Sequence, residues 1–293
     1  MTTPPEEPRA PTLHRPTIVA MLVELAVCAA VVGATLLWWH PLSVIVAMIV
    51  IATRQHAQFI LFHDAVHYNV ARDRRLNDAI TNLVIGVPQL VPVQVYRRLH
   101  VAHHARLGTD ADPERLLLYR GQPWQYRPLP LGRLALQLAG DLLLVNNVKT
   151  LVYFGRELRD PDSRLRLPTM TLHPELWLTV ALWGGALVAW LVVDATTALR
   201  FALLWFVPLL TLTQLIQKVR SFAEHAPMDA PELSYSWRPG LFGRLVLWPY
   251  HINYHREHHV HPRVPWYRLP AEFPAVDQRP GRELPRLLWD GRW

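Results

Sequence analysis

The chain has 293 residues, 51% hydrophobic and 18% charged, whereas soluble domains carry roughly a quarter charged residues. Its formal charge of +7 sits on arginines between apolar blocks, not on a basic module interleaved with aromatics. This excludes a nucleic-acid binder and points to a membrane protein. The single cysteine, Cys28, excludes an intrachain disulfide and any CxxC site.

Residues 1–16 carry Pro4, Pro5, Pro8, Pro11 and Pro16 and read as a disordered tail. The apolar run that follows is too long for a signal-peptide core and lacks a small-residue cleavage site. Crossing about 30 Å of hydrocarbon takes roughly 20 helical residues. Four blocks qualify, at about 17–39, 41–62, 175–193 and 198–217. Short turns at 38–41 and 194–197 join them into two hairpins. Of 30 Lys and Arg, 28 lie in segments 1–16, 63–173 and 218–293, and neither turn contains one. The positive-inside bias therefore puts both termini and the long middle segment in the cytoplasm. The expected fold is an all-α integral membrane protein with a multi-pass domain at 17–270 and a C-terminal tail at 271–293.

Arg54, Gln55 and His56 interrupt the second block. A charge at the bilayer centre costs about 2.5–3.5 kcal/mol on insertion scales, so these side chains should face the bundle. The helix is expected to run past the membrane surface, carrying His63 and His67 with it. Two stretches read as interfacial. Asn77–Tyr96 is broken by Gly86, Pro88 and Pro92, and Leu131–Phe154 mixes leucines with Asp141, Asn146, Asn147 and Lys149.

Among 15 histidines, three groups share a spacing: His63 and His67; His100, His103 and His104; His255, His258 and His259. Positions i, i+3 and i+4 share a helix face, so each group aims two or three imidazoles at one place. All three groups fall on the side that arginine counting makes cytoplasmic. One zinc takes about four ligands, so eight such histidines imply more than one ion. Nitrogen donors alone leave zinc, copper, iron and nickel open. His14, His40, His56, His173 and His261 have no partner that makes them ligands, and His56 reads as a bundle contact. Asp64 and Glu257 read as hydrogen-bond partners of the imidazoles.

The boxes resemble those of the membrane fatty acid desaturase/hydroxylase superfamily, whose pattern is HxxxH, HxxHH and HxxHH. Asn253-Tyr254-His255-Arg256-Glu257-His258-His259-Val260-His261-Pro262-Arg263-Val264-Pro265 is similar to the family's NYHxEHHxxPxVP signature, and the likeness continues through Trp266 to Pro270. Tyr96–His100 and Gly108–Glu114 flank the second box as in bacterial members. The likeness spans roughly residues 50–270.

The resemblance implies two irons per chain, O2 as co-substrate, and a cytoplasmic helical cap carrying the boxes, in a bacterial inner membrane. It also implies a ninth ligand after the last span. His225, in Arg220-Ser-Phe-Ala-Glu224-His225, matches that element, with His251 as competitor. Asn253 is expected to hold a metal-bound water, orient a ligand, or make a structural hydrogen bond. The implied reaction removes hydrogen from an unactivated C–H bond, giving an alkene on an acyl chain. Hydroxylation, or ketolation of a carotenoid, is the alternative, and the first box and Gly108–Pro113 also resemble carotene ketolases. No HPGG haem segment is present, so electrons are expected from a separate ferredoxin, rubredoxin or cytochrome b5-like donor with its reductase. Arg97, Arg98 and Arg106 are candidates to receive it, with a solvated, topology-determining role as the first expectation for each.

Two rivals come from other classes. A zinc membrane hydrolase would carry HExxH, but Asp64 stands where that glutamate belongs. A metal transporter would place ligands on the spans near the midplane.

Overall fold

The computed structural model describes residues 13–119, 129–157, 159–160, 172–226, 233–273 and 278–289. Chain entry comes first. Leu13 bridges to Ala71, and the His14 amide donates to the Val70 carbonyl. Helix α1 (Arg15–Leu37) then begins with Pro16 in its first turn, where a missing N–H costs nothing. The expected tail is thus anchored from residue 13 onward, and residues 1–12 lie outside the described part. Helix α2 (Pro41–Val66) also starts on a proline, with a reciprocal cap between His40 and Ser43. It runs unbroken to the first histidine box, as the interrupted apolar pattern required.

The segment after α2 is short-stepped. Helix α3 (Arg74–Thr81) is capped by Asp73, whose carboxylate accepts the Leu76 amide. It passes into a π-turn at Asn82–Gly86. Helix α4 (Val93–Arg106) carries the second box, and α5 (Pro113–Tyr119) follows it. Helices α6 (Leu131–Leu142) and α7 (Val145–Glu157) come next. The single interfacial stretch expected there is in fact two helices, turned at Leu144 in the left-handed region (φ 64). Leu136, Leu143 and Leu151 on this pair are exposed, as suits an apolar surrounding.

Helix α8 (Pro174–Val193) and helix α9 (Ala195–Leu210) are almost contiguous, Asp194 capping the second through the Thr197 amide. Helix α10 (Leu212–His225) continues from α9 after a break at Thr211. The fourth block, expected to run unbroken over 198–217, is therefore interrupted. Pro208 lacks the N–H that would bond one turn back, which weakens the ladder there. Among the described residues, four helical stretches are long and apolar enough to cross a membrane: α1, α2, α8 and the α9–α10 pair.

The remaining elements are short. A two-residue strand β1 (Trp237–Arg238) precedes helix α11 (Leu241–Val246), helix α12 (His255–Val260) and helix α13 (Leu269–Glu272). Strand β2 (Arg279–Pro280) pairs parallel with β1, and helix α14 (Leu284–Trp289) follows. Leu284 and Leu287 of α14 join the apolar cluster of Phe222, Trp237 and Trp248. The expected C-terminal tail at 271–293 is packed over most of its described length; residues 274–277 and 290–293 lie outside it. This cluster fixes α10 from one side. Trp237 is fully buried, stacks on Trp248 at 5.3 Å between ring centres, and donates Nε1–H to the Ala223 carbonyl.

Candidate metal centre

Four separate elements meet at one place. Helix α2 brings His63 on its last turn and His67 at its C-cap, where Tyr68 (φ 65) turns the chain away. Helix α4 brings His100, His103 and His104, α10 ends on His225, and α12 carries His255, His258 and His259. Just before α12, Tyr250 and His251 sit at φ 51 and 54, a strained turn for side chains of that size. It is held by the Tyr250 hydroxyl, which donates to Glu24 at 2.6 Å, and by Tyr250 packing on Trp266.

The imidazoles form two adjoining groups. Donor nitrogens of His63, His67, His100 and His258 lie within 4.8 Å of one another, as do those of His103, His225 and His259. His255 joins the second group, its Nε2 being 3.0 Å from Nε2 of both His225 and His259. His104 lies between the groups, with Nε2 2.9 Å from His100 Nε2 and its ring stacked on His259 at 4.3 Å. All eight box histidines and His225 are thus brought together. His251 is not: its ring lies against Tyr254 and Trp266.

Partners on the far side of the rings set which nitrogen is free. His100 Nδ1 lies 2.7 Å from Glu114, and His103 Nδ1 lies 2.9 Å from both Asp112 oxygens. His225 Nδ1 is 3.0 Å from the Leu233 carbonyl. Anionic and carbonyl oxygens accept hydrogen bonds, so each of these Nδ1 atoms carries the proton and its Nε2 keeps a lone pair. The Nε2 atoms of His63, His67, His103 and His258 are buried with no hydrogen-bond partner among the described residues. Orphaned polar atoms cost roughly 1–3 kcal/mol each when nothing satisfies them. Four at one place, flanked by further imidazole nitrogens, fit metal ions.

Charge state agrees with ligation. Burial is the main cause that holds His67 down to about 3 and His104 to about 4. Burial also pushes His100, His255, His258 and His259 well below the ordinary imidazole value, helped by neighbouring imidazoles. These rings are neutral at pH 7, the form that binds metal. His103 differs: burial lowers it, but the carboxylates of Glu114 and Asp112 outweigh burial and raise it.

Several expectations are corrected. Glu257 follows His255 by two residues, about 200° around the helix, so it turns away from the rings and bonds the Ser236 hydroxyl. Asp64 accepts from Asn69 at 2.9 Å, tying down the chain after the first box without touching an imidazole. Asn253 makes the structural hydrogen bond that is one of its expected roles: Nδ2–H donates to the Trp237 carbonyl, and the Asn253 backbone carbonyl accepts the Trp237 amide. Arg97 is committed to Asp78 and to the Val66 carbonyl, which ties α4 to α2. His56 is the bundle contact expected, 3.1 Å from the Leu247 carbonyl. The carboxylates that hydrogen-bond imidazoles are Asp112 and Glu114, and Glu224 lies 3.4 Å from His255 Nδ1 without a hydrogen bond. None was singled out from the sequence.

Comparison with known proteins now bears on the same residues. The fatty acid desaturase family profile matches residues 36–289, nearly the whole chain. The chain belongs to the fatty acid desaturase family. Among curated relatives of this desaturase-family protein is the dihydrorhizobitoxine desaturase of Bradyrhizobium elkanii, 27% identical over 286 residues, covering 92% of this chain and 77% of the relative. The beta-carotene ketolase of Paracoccus sp. (strain PC1) is 28% identical over 280 residues, covering 89% and 95%. The zeaxanthin 4-ketolase of Chlamydomonas reinhardtii is 28% identical over 219 residues, covering 72% of this chain and 40% of the relative. Family membership makes the chain an oxidoreductase of the desaturase, hydroxylase or ketolase type.

Proposed function

We propose that the protein is a di-iron, O2-dependent oxidoreductase that introduces a double bond into a lipid acyl chain, with nine histidines as its metal ligands. His63, His67, His100, His103, His104, His225, His255, His258 and His259 would hold the two ions. The observation that carries the reading is the set of inward, unpartnered Nε2 atoms. When bound, the irons supply activation of O2 and removal of hydrogen from an unactivated C–H bond.

The chain's own groups do the rest. Glu114, Asp112 and the Leu233 carbonyl hold protons on Nδ1 of His100, His103 and His225 and so fix ring orientation. Tyr96, stacked on His100 at 5.4 Å, covers the rings from one side. Phe59 and Phe62 pack on Tyr96 and exclude water. Reducing equivalents come from a separate ferredoxin, rubredoxin or cytochrome b5-like protein with its reductase.

The arginine distribution supports two membrane hairpins with both termini, and a cap carrying the metal centre, on the cytoplasmic side of a bacterial inner membrane. An apolar substrate would then reach the ions from the bilayer. A second reading, ketolation of a carotenoid, is favoured by the ketolases among the relatives, one covered over 95% of its length. Expression in hosts with and without carotenoids, followed by lipid and pigment analysis, separates the two. New acyl double bonds support desaturation and new keto groups support ketolation. Unchanged lipids and pigments with iron-loaded protein in the membrane would refute both.

A further inference from the structure

We propose that the two histidine groups bind metal unequally: the group of His103, His225, His255 and His259 fills first and empties last, with Asp112 as its positioning residue. The inference rests on the di-iron reading above. It starts from what lies behind the rings. In the first group, of His63, His67, His100 and His258, a single ring has a carboxylate at Nδ1, His100 with Glu114, among the described residues. In the second group His103 has Asp112 at Nδ1, His225 rests on a backbone carbonyl, and the Glu224 carboxylate lies 3.4 Å from His255 Nδ1 without a hydrogen bond.

A carboxylate behind an imidazole makes the opposite nitrogen more basic and fixes its direction. Losing such a partner typically weakens metal binding about 10–100-fold. A hydrogen-bonded carboxylate, a hydrogen-bonded carbonyl and the nearby Glu224 charge, against one hydrogen-bonded carboxylate, therefore favour the second group. The carboxylates are themselves held. Asp112 accepts the Glu114 and Arg115 amides at the start of α5. Glu224, fully buried, is paired with Arg220 one turn before it. The Arg220 charge reaches rings of both groups, so it does not reverse the preference.

The test uses full-length protein in detergent, loaded anaerobically with ferrous iron and titrated with a chelator while protein-bound iron is counted. Wild-type protein should lose its iron in two steps, separated by at least about tenfold in chelator concentration. His63→Ala should abolish the early step and His225→Ala the late one. Asp112→Asn keeps the cap on α5, because its amide oxygen accepts the same backbone N–H groups, and should shift only the late step, by about 10–100-fold. Glu114→Gln should shift the early step more than the late one, because its charge also reaches His103. Release of both irons in one step, or loss of the late step in His63→Ala, overturns the proposal. A Mössbauer spectrum of wild-type protein given one equivalent of iron-57 needs no variant. One dominant doublet is expected, and two equal doublets overturn the inequality. Protein that takes up no iron overturns the di-iron reading itself, and this inference with it.

Discussion

Removing the Glu24 carboxylate should destabilise the protein far more than a surface charge would. Glu24 in α1 pairs with Arg54 in α2 at 3.2 Å and accepts the Tyr250 hydroxyl, and its side chain is only 5% exposed. A fully buried pair costs about 3–5 kcal/mol when one partner is removed, because the other is left uncompensated. Arg54 is 19% exposed and keeps the Leu245 carbonyl at 2.7 Å, which moves the cost toward the lower end. Loss of the Tyr250 bond adds about 1 kcal/mol. Glu24→Ala should therefore cost about 3–4 kcal/mol in all. Replacing both members with leucine should cost less than the two single changes summed, since no bare charge remains. Equilibrium unfolding in mixed micelles, followed by tryptophan fluorescence, measures the cycle. A coupling of about 1.5–3 kcal/mol is expected. A coupling below about 0.5 kcal/mol, typical of exposed pairs, would show that the pair does not brace α1 and α2.

Trp237→Ala should cost about 3–5 kcal/mol by emptying the cluster beside α10, and iron content should fall with it because His225 ends that helix. Gly108→Ala should be destabilising, since Gly108 sits at φ 78 and a Cβ there would lie 2.6 Å from Leu233 Cδ1; thermal unfolding would register it. Metal-free protein should lose stability as pH falls from about 6.5. His67 and His104 have folded values near 3 and 4, so the unfolded chain binds more protons throughout that window. Each ring should contribute on the order of 1 kcal/mol of loss over the first pH unit. The raised His103 acts oppositely, its contribution being present below about 6.5 and lost as pH rises through its folded value. A flat unfolding profile between pH 4 and 6.5 would contradict this. Glu257→Gln should leave iron content within error of wild type, in contrast to Glu114→Gln, as metal analysis of purified protein would reveal.

The histidine boxes were legible because ligand spacing on a helix is a local property. His63 and His67, or His255 and His259, share a face whatever surrounds them. The helix of the first box was legible for the same reason, the apolar run of α2 pointing straight to it. His225 came only from a resemblance, because one histidine at a helix end has no spacing to read. Asp112, Glu114 and Glu224 are not legible, since the bonds of the first two to the rings, and the approach of the third, depend on how α5 and α10 pack against α4 and α12. Their neighbours gave a signal nonetheless: two acidic residues soon after the second box, and one beside His225. Glu257 misled through proximity, because a residue next to a ligand in sequence points elsewhere on a helix. The break at Thr211 is hidden from the sequence because hydropathy stays high across it, although Pro208 marks the weakness. The C-terminal segment reads as a tail because Leu284 and Leu287 are too few to announce a buried helix by pattern alone.

Metal analysis of purified full-length protein, combined with Mössbauer spectroscopy, tests the central claim most directly. About two irons per chain with high-spin ferrous signals are expected in wild-type protein, falling sharply when His258 is replaced by alanine. Zinc as the sole bound metal, or undiminished iron in that variant, would contradict the account.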